Sequence, residues 1–265
     1  MRIPILQVDA FARRRFTGNP AAICPLDAWL DDELLQAIAA ENNLSETAFL
    51  VPAEPDDDVD YHLRWFTPAV EVDLCGHATL AAGYVVFKHL RSDLTMVRFA
   101  TRSGPLAVAR TRSGLAMDLP LEWPQDTETP EGVIAALGAR PDLVLSGKRD
   151  WLAVYGDEAA IVGLSPDFRA LAAFKGRGVI ATAPGKQCDF VLRYFAPSLG
   201  IDEDPVTGSA YTLAGPYWAQ TLNRTRLSAQ QISQRGGDLT MAMDSERIQI
   251  EGRCVEVLAG ELILD

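Results

Sequence analysis

The sequence predicts an α+β protein built from two similar domains. Short apolar stretches alternate with helix-length blocks along the chain, a motif of the first half recurs in the second, and a proline-rich acidic stretch separates the halves. With 265 residues, 48% of them hydrophobic, the chain is long enough for two cores. We expect domains over residues 1–120 and 128–265, and leave open whether the last strand packs back on the first domain.

In the first half, apolar residues that alternate or run in short stretches predict strands, and apolar residues at helical spacing predict helices. Strands are expected at 3–11, 21–26, 46–51, 59–66 and between 94 and 119. One helix should follow the capping residue Asp31 and end near Asn43. A second, buried helix is expected over Leu74–Leu90 because that stretch is densely apolar.

In the second half, a capping hydroxyl before proline predicts helix starts at Thr129-Pro130 and Ser165-Pro166. A further helix-length block covers 208–222, and Pro216 should kink it or end its first part. Strands are expected near 151, at 178–182, at 189–195 and over the last forty or so residues.

The composition excludes several classes of function. The chain has 36 acidic and 24 basic side chains, a net charge of −12, which works against binding nucleic acid or anionic membranes. The longest wholly apolar run, Leu80–Phe87, is too short to span a bilayer, and charged residues interrupt the N-terminal stretch. The four cysteines stand alone, without the spacing of a zinc site. A cytoplasmic protein with reduced thiols is therefore expected.

The most informative feature is an internal repeat. RWFTP at 64–68 matches RYFAP at 193–197, and in both places the motif closes a predicted strand. Farther on, CGHA at 75–78 matches TGSA at 207–210, if the second copy carries three extra residues. Two matched blocks in the same order favour duplication over chance.

Each repeated glycine stands where a strand leads into a helix. A helix start offers unpaired N–H groups and the positive end of the dipole, and glycine lets a ligand approach the backbone. We hypothesise that Gly76 and Gly208 face one cleft and together hold a carboxylate. A looser glycine pattern, Gly176-Arg177-Gly178, lies in the wrong strand and helix context for a dinucleotide site and is rejected.

Four side chains near these glycines could carry chemistry. Glu46 lies among apolar neighbours in NLSETAFL, and such surroundings favour a general acid/base. His77, Asp204 and Ser209 offer donors and acceptors in the repeated segments. Taken singly, a surface glutamate, a capping histidine, a turn aspartate and a capping serine are the more common interpretations.

Cys75 raises a separate question, since a thiol at a helix start can act as a base. Its counterpart in the repeat is Thr207. A racemase with two opposed thiols would need cysteine at both positions, so Cys75 is more simply a packed residue.

Five motifs follow one another along the chain: GNPAAI, NLSETAFL, RWFTP, EVDLCGHATLAAG and EDPVTGSA. In this order they resemble the PhzF-like family of phenazine-biosynthesis isomerases. The resemblance implies a diaminopimelate epimerase-like fold: two pseudo-symmetric domains, each a curved mixed β-sheet or barrel around a central helix, with the active site between them. It also implies a homodimer and neither organic cofactor nor metal. By resemblance Glu46 is catalytic, and the substrate-binding residues are Asn19, Gly76, His77, Asp204, Thr207, Gly208 and Ser209.

The expected function is a cofactor-independent isomerase in which Glu46 moves a proton between carbons of a small, cyclic, anthranilate-like carboxylate. One alternative is an amino-acid racemase or epimerase in which Cys75 serves as second base with Glu46. Another is a small-ligand binding protein that lost turnover. Tyr211, three residues after Gly208, is bulkier than expected at that place and leaves the shape of the substrate pocket open. The identity of the substrate is open as well, because it does not follow from the fold.

Overall fold

The computed structural model describes residues 1–128, 130–174 and 178–264. In these ranges the strands are β1 (Arg2–Ala10), β2 (Asn19–Pro25), β3 (Glu46–Pro52), β4 (Tyr61–Phe66), β5 (Glu71–Val72), β6 (Met96–Ala100), β7 (Leu106–Arg110), β8 (Leu115–Pro120), β9 (Gln125–Asp126), β10 (Leu143–Ser146), β11 (Asp150–Val154), β12 (Gly178–Pro184), β13 (Phe190–Ala196), β14 (Ile201–Asp204), β15 (Arg226–Gln231), β16 (Gly237–Met243), β17 (Arg247–Gly252) and β18 (Cys254–Ile263). The α-helices are α1 (Asp32–Asn42), α2 (Gly76–Val85), α3 (Glu131–Leu137), α4 (Glu158–Val162), α5 (Phe168–Ala172) and α6 (Ala210–Leu222). A π-helical turn, Val86–Leu90, extends α2, and a 3₁₀ turn covers Pro197–Leu199.

The chain forms two compact units. Unit 1 comprises Met1–Asp118 and the segment from Glu251 onward, and unit 2 comprises Leu119–Ile250. The C-terminal segment belongs to unit 1 because β18 pairs antiparallel with β1 along its whole length.

The sheet of unit 1 is mixed. Its order runs β18, β1, β2, β3, β4, β6, β7, β8, with β5 beside β4. The pairs β2–β3 and β4–β6 are parallel, and the other pairs are antiparallel. The helix α2 packs against β1, β2, β3 and β7, and nearly all of its residues are buried. It is therefore the central helix of the unit.

The sheet of unit 2 repeats this plan. Its order runs β9, β10, β11, β12, β13, β15, β16, with β14 beside β13. Again two pairs are parallel, β11–β12 and β13–β15. Its long helix, α6, packs against β11, β12 and β15. The sequence of connections from β10 to β16 therefore matches that from β1 to β7.

The strand registers extend the repeat to individual residues. Thr47 pairs with Phe66 in unit 1, and Val179 pairs with Phe195 in unit 2. Because the two phenylalanines occupy the same place in the repeated motif, the position before Thr47, which is Glu46, corresponds to Gly178. At this matching position unit 1 therefore has the acidic side chain of Glu46, whereas unit 2 has a glycine.

The helix α6 differs from the sequence-based expectation in its first residue, and of the two alternatives predicted for Pro216 the structure excludes an end of the helix there. It begins at Ala210, after Ser209, rather than at Gly208, and it continues through Pro216 without ending there. Proline leaves the carbonyl four residues earlier without its helical partner. That carbonyl, on Thr212, accepts the backbone N–H of Glu122 at 3.0 Å, which compensates for the missing bond.

Two predicted helix starts also need comment. The helix α5 begins at Phe168 and is capped by Asp167, whose carboxylate accepts the N–H of Ala170, so the prediction of a start at Ser165-Pro166 was wrong. The predicted capping residue Thr129 lies outside the described residues, as do Gly176 and Arg177 of the rejected glycine pattern. Among the described helices, none has the length and apolar character needed to cross a membrane.

Candidate active site

Glu46 is the first residue of β3 and lies at the start of the parallel pairing with β2, opposite Ala21. Apolar residues follow it along the strand and pull the chain into the core of unit 1. Its side chain is only 12% exposed. The interpretation of Glu46 as an ordinary surface residue is therefore excluded.

The start of α2 supplies the second part of the site. Cys75 is the N-cap residue, and Gly76 and His77 form the first turn. The Cys75 thiol makes no capping hydrogen bond to the helix backbone, whereas the Thr79 hydroxyl donates to the Cys75 carbonyl at 2.6 Å. Cys75 and His77 are both buried, at 6% and 5% exposure. Their side chains are thus held inside unit 1.

His77 stands between the other two groups. Its Nε2 lies 3.0 Å from Oε2 of Glu46, and its Nδ1 lies 3.5 Å from Sγ of Cys75. Apart from each other, Glu46 Oε2 and His77 Nε2 have no polar partner among the described residues. One imidazole therefore links the carboxylate to the thiol.

Asn19, the first residue of β2, orients the imidazole. Its Nδ2 lies 3.2 Å from His77 Nδ1, and its Oδ1 accepts the Ser45 hydroxyl at 3.1 Å. Because the hydroxyl engages the amide oxygen, the NH₂ group faces the ring and Nδ1 serves as acceptor. When the imidazole is neutral, its proton is therefore on Nε2, directed at Glu46. These five residues, Asn19, Ser45, Glu46, Cys75 and His77, are called the unit 1 site below.

The unit 1 site is electrostatically coupled. Burial opposes a charge on His77, but its acidic neighbours Cys75 and Glu46 outweigh burial and hold the pKa of His77 well above its usual value. Burial, together with the negative charge of Glu46, raises the pKa of Cys75. Protonation of the imidazole and of the thiol is therefore coupled, and the shift favours the charged form of His77.

The second predicted group of residues lies in unit 2, on the segment Asp204–Ser209 between β14 and α6. The Thr207 hydroxyl donates a hydrogen bond to Oδ2 of Asp204. Buried Gln231, the last residue of β15, accepts the Thr207 N–H at 2.9 Å and donates to the Asp204 carbonyl at 2.7 Å. Gly208 and Ser209 follow directly before α6. The segment is therefore held in one shape by a residue of the neighbouring strand.

The structure thus groups the predicted site residues by unit. Asn19, Glu46 and Cys75 each contact His77 beside the Gly76 helix start, and Asp204 and Thr207 are hydrogen-bonded to each other before Gly208 and Ser209.

Sequence reasoning missed Ser45 and Gln231. Ser45 directly precedes Glu46 and could have been noticed, whereas no local pattern marks Gln231, because it lies 24 residues from Thr207.

Tyr211 occupies the first turn of α6, where a smaller residue was expected. It is fully buried, and its ring lies 6.1 Å from that of Phe190. Burial raises the pKa of its hydroxyl well above the usual value. The bulk of this side chain therefore fills the interior of unit 2.

The donor types in the unit 1 site also bear on metal binding. One ligand atom each from Glu46, Cys75 and His77 lies within 4.8 Å of the other two. Such a set of carboxylate, thiol and imidazole suits a divalent ion of intermediate softness.

Comparison with known proteins identifies the family. The model of the family described as phenazine biosynthesis-like protein matches residues 8–260. The chain belongs to this family. It is similar to an uncharacterized isomerase of Pseudomonas aeruginosa, with 53% identity covering all of both chains. It is also similar to a crystal structure of a PhzF family protein from Enterococcus faecalis, with 44% identity, complete coverage of both chains and a TM-score of 0.95.

A more distant likeness bears on the fold. A hydroxyproline epimerase from Agrobacterium vitis superposes with a TM-score of 0.63 at 10% identity, covering 100% of this chain and 93% of that one. The predicted α+β, epimerase-like fold is confirmed. The names of the close relatives support an isomerase- or epimerase-type function, as the PhzF motifs predict.

Proposed function

We propose that this PhzF family protein is a cofactor-independent isomerase that moves a proton between two carbons of a small carboxylate-bearing ring, with Glu46 as the single general acid/base. The observation that carries the proposal is the buried contact of 3.0 Å between Glu46 Oε2 and His77 Nε2. A carboxylate in such a place is desolvated and held in one orientation by a neighbouring N–H. Both conditions suit proton transfer to and from carbon.

In the proposed reaction, the Glu46 carboxylate takes a proton from a substrate carbon as the C–H bond breaks. The electron pair of that bond spreads into the adjacent double bond, and the protonated Glu46 returns the proton to a different carbon. His77 keeps its Nε2 proton directed at Glu46 and holds that side chain in place. No net oxidation occurs, so no redox cofactor is needed.

The unit 2 residues are proposed to bind the substrate carboxylate. Asp204, Thr207 and Gln231 hold the backbone that leads to Gly208 and Ser209, directly before the positive end of the α6 dipole. By the same proposal, Asn19 and Gly76 contribute to substrate binding in unit 1.

The repeat also favours one base over two. Glu46 corresponds to Gly178, and Cys75 corresponds to Thr207, so the second copy offers neither a carboxylate nor a thiol at the matching positions. An amino-acid racemase using Cys75 with Glu46 stays the second candidate. It is favoured by one observation, the 3.5 Å contact between the thiol and His77, through which a proton could leave the sulfur.

The test is deuterium incorporation from heavy water into cyclic amino- and hydroxy-carboxylates, followed by NMR. The proposal predicts exchange at carbon that Glu46→Gln abolishes and Cys75→Ser retains, with Glu41→Gln on the surface of α1 as the matched control. Inversion of a stereocentre that depends on Cys75 would identify the racemase. Tight binding without exchange would identify a binding protein and overturn both enzymatic proposals.

A further inference from the structure

We infer that the Cys75–His77 pair of the unit 1 site is a binding site for one soft or borderline divalent cation such as Zn²⁺, with Glu46 as the outer partner of the histidine. The binding does not depend on the proposed function. The consequence for activity, inhibition, does rest on it.

The first step is the geometry of the two inner ligands. In a tetrahedral zinc site, Zn–S and Zn–N bonds of about 2.3 and 2.0–2.1 Å place sulfur and nitrogen about 3.5 Å apart. Sγ of Cys75 and Nδ1 of His77 are 3.5 Å apart. Both side chains project from the same rigid helix start, so the pair is already arranged as two ligands of one ion.

The second step concerns Glu46. Histidines that bind a metal through one nitrogen usually donate the N–H of the other to a carboxylate, a backbone carbonyl or a water molecule. Glu46 Oε2 lies 3.0 Å from His77 Nε2, and neither atom has another polar partner among the described residues. Glu46 therefore already holds the position of an outer-sphere carboxylate.

The third step is charge. A Cys75 thiolate and the Glu46 carboxylate would together place two negative charges in a buried site around a neutral imidazole. A divalent cation neutralises both. On binding, the S–H bond breaks, a bond from sulfur to the metal forms, and the proton passes to solvent. A charged His77 also gives up its Nδ1 proton, so one or two protons are released for each ion bound, depending on the pH.

Asn19 limits the affinity. Its Nδ2 lies 3.2 Å from His77 Nδ1 and uses the lone pair that the metal needs, so the amide must turn away. Water has to complete the coordination, because Cys75 and His77 supply only two ligands. The site is therefore expected to bind reversibly and more weakly than a structural zinc site with four protein ligands.

A bound ion would stop the proposed proton transfer. It would occupy Nδ1 of His77 and make the N–H on Nε2 a stronger donor to Glu46. The carboxylate would then be held in that hydrogen bond and would be a weaker base toward carbon. The cation thus acts as an inhibitor that a chelator removes.

The experiment is a titration of the reduced full chain with Cd²⁺, followed by the ultraviolet absorption of the cadmium–thiolate bond, and with Zn²⁺ by calorimetry. We expect one ion per chain and no comparable binding of Mg²⁺. Cys75→Ser should abolish the absorption, whereas the matched control Cys188→Ser should retain it. Glu46→Gln should keep the absorption but weaken binding by about 10–100-fold.

Three results would overturn the inference: no uptake by the wild-type chain, absorption that survives Cys75→Ser, or absorption lost in Cys188→Ser. His77→Gln serves as a second test if Cys75→Ser fails to fold, which circular dichroism would show, and it should likewise weaken binding strongly. None of these readouts uses turnover. Failure of cation binding and failure of the proposed isomerase are therefore distinguishable, and inhibition of deuterium exchange by Zn²⁺ is measured separately.

Discussion

His77 and Glu46 face each other in a buried contact of 3.0 Å, although 31 residues separate them in the chain and they lie on a helix and a strand. The charge on Glu46 is one cause of the raised pKa of His77. Glu46→Gln removes that charge while keeping the size of the side chain, so the pKa of His77 should fall. Titration of ¹⁵N-labelled imidazoles by NMR measures this directly, and His62 and His89 serve as internal references.

The same shift predicts a pH dependence of stability. A histidine whose pKa is raised in the folded state contributes stability that is fully present below its unfolded pKa of about 6.5. The contribution is lost as the pH rises through the folded value. The free energy of unfolding should therefore decline above about pH 6.5, and the decline should be smaller in Glu46→Gln. Equal slopes in the two proteins would contradict this coupling.

Gly83 in α2 and Gly215 in α6 are predicted to tolerate replacement by alanine to different degrees. A Cβ at Gly83 in α2 would lie 2.6 Å from Cγ1 and 2.8 Å from Cβ of Val108, atoms close to the backbone of β7. A Cβ at Gly215 in α6 would meet the ends of flexible side chains, Ile248 at 2.9 Å and Met241 at 3.2 Å. Gly83→Ala should cost about 1–3 kcal/mol through overpacking.

Gly215→Ala should stay within about 1 kcal/mol of the wild type, because the higher helix propensity of alanine offsets the repacking. Urea unfolding of both variants checks the ranking. A Gly83→Ala protein as stable as Gly215→Ala would show that the β7 side of α2 can adjust.

Arg64 and Arg193 occupy the same place in the two copies of the repeat, and replacing either one is predicted to cause a similar loss of stability. Arg64 binds Glu71 through Nε and Nη2 at 2.7 and 2.8 Å, and Arg193 binds Glu203 in the same two-bond manner at 2.8 and 2.8 Å. Lysine cannot form this fork. Arg64→Lys and Arg193→Lys should each lower the free energy of unfolding by about 1–3 kcal/mol, because these hydrogen bonds are charge-assisted and largely shielded from water.

Arg91 supplies the comparison, since it forms a similar two-bond contact with Asp93 but both side chains are at least half exposed. Arg91→Lys should leave the unfolding midpoint almost unchanged. A comparable loss in all three variants would mean that burial does not decide the effect.

Replacing Gln231 is predicted to lower the stability of the segment Asp204–Ser209 in unit 2. Gln231→Glu keeps the acceptor for the Thr207 N–H but removes the N–H donor to the Asp204 carbonyl and places a charge in the core. Leaving a buried polar group unpaired costs about 1–3 kcal/mol, so this variant should be destabilised by at least that amount.

The control is Gln230→Glu, whose neighbouring, part-buried side chain bonds instead to Asp238. Hydrogen exchange of the Thr207 amide gives a local measurement. Protection should fall in Gln231→Glu, although the acceptor is kept, because the segment loses its bond at the Asp204 carbonyl. It should persist in Gln230→Glu. Unchanged protection in both would show that Gln231 does not hold the segment.

The sequence by itself determined the architecture and most of the candidate site. Duplication left two copies of Arg-aromatic-Phe and of the glycine before each long helix, and a short motif preserves its local backbone wherever it stands. The structure agrees with the repeat, because Arg64 binds Glu71 in one copy and Arg193 binds Glu203 in the other. Five motifs, including the one around Glu46, together indicated the family and hence the fold, and the family model confirms the family.

Only the tertiary structure decided which side chains meet. Glu46, Cys75 and His77 are separated by up to 31 residues, and their contacts follow from the parallel pairing of β2 with β3 and the packing of α2 against those strands. The roles of Asn19 and Gln231 arise in the same way, from contacts between a strand and a helix start far apart in the chain. Periodicity reveals which face of a strand is buried, but the partner across that face depends on register and packing, which no local sequence pattern encodes.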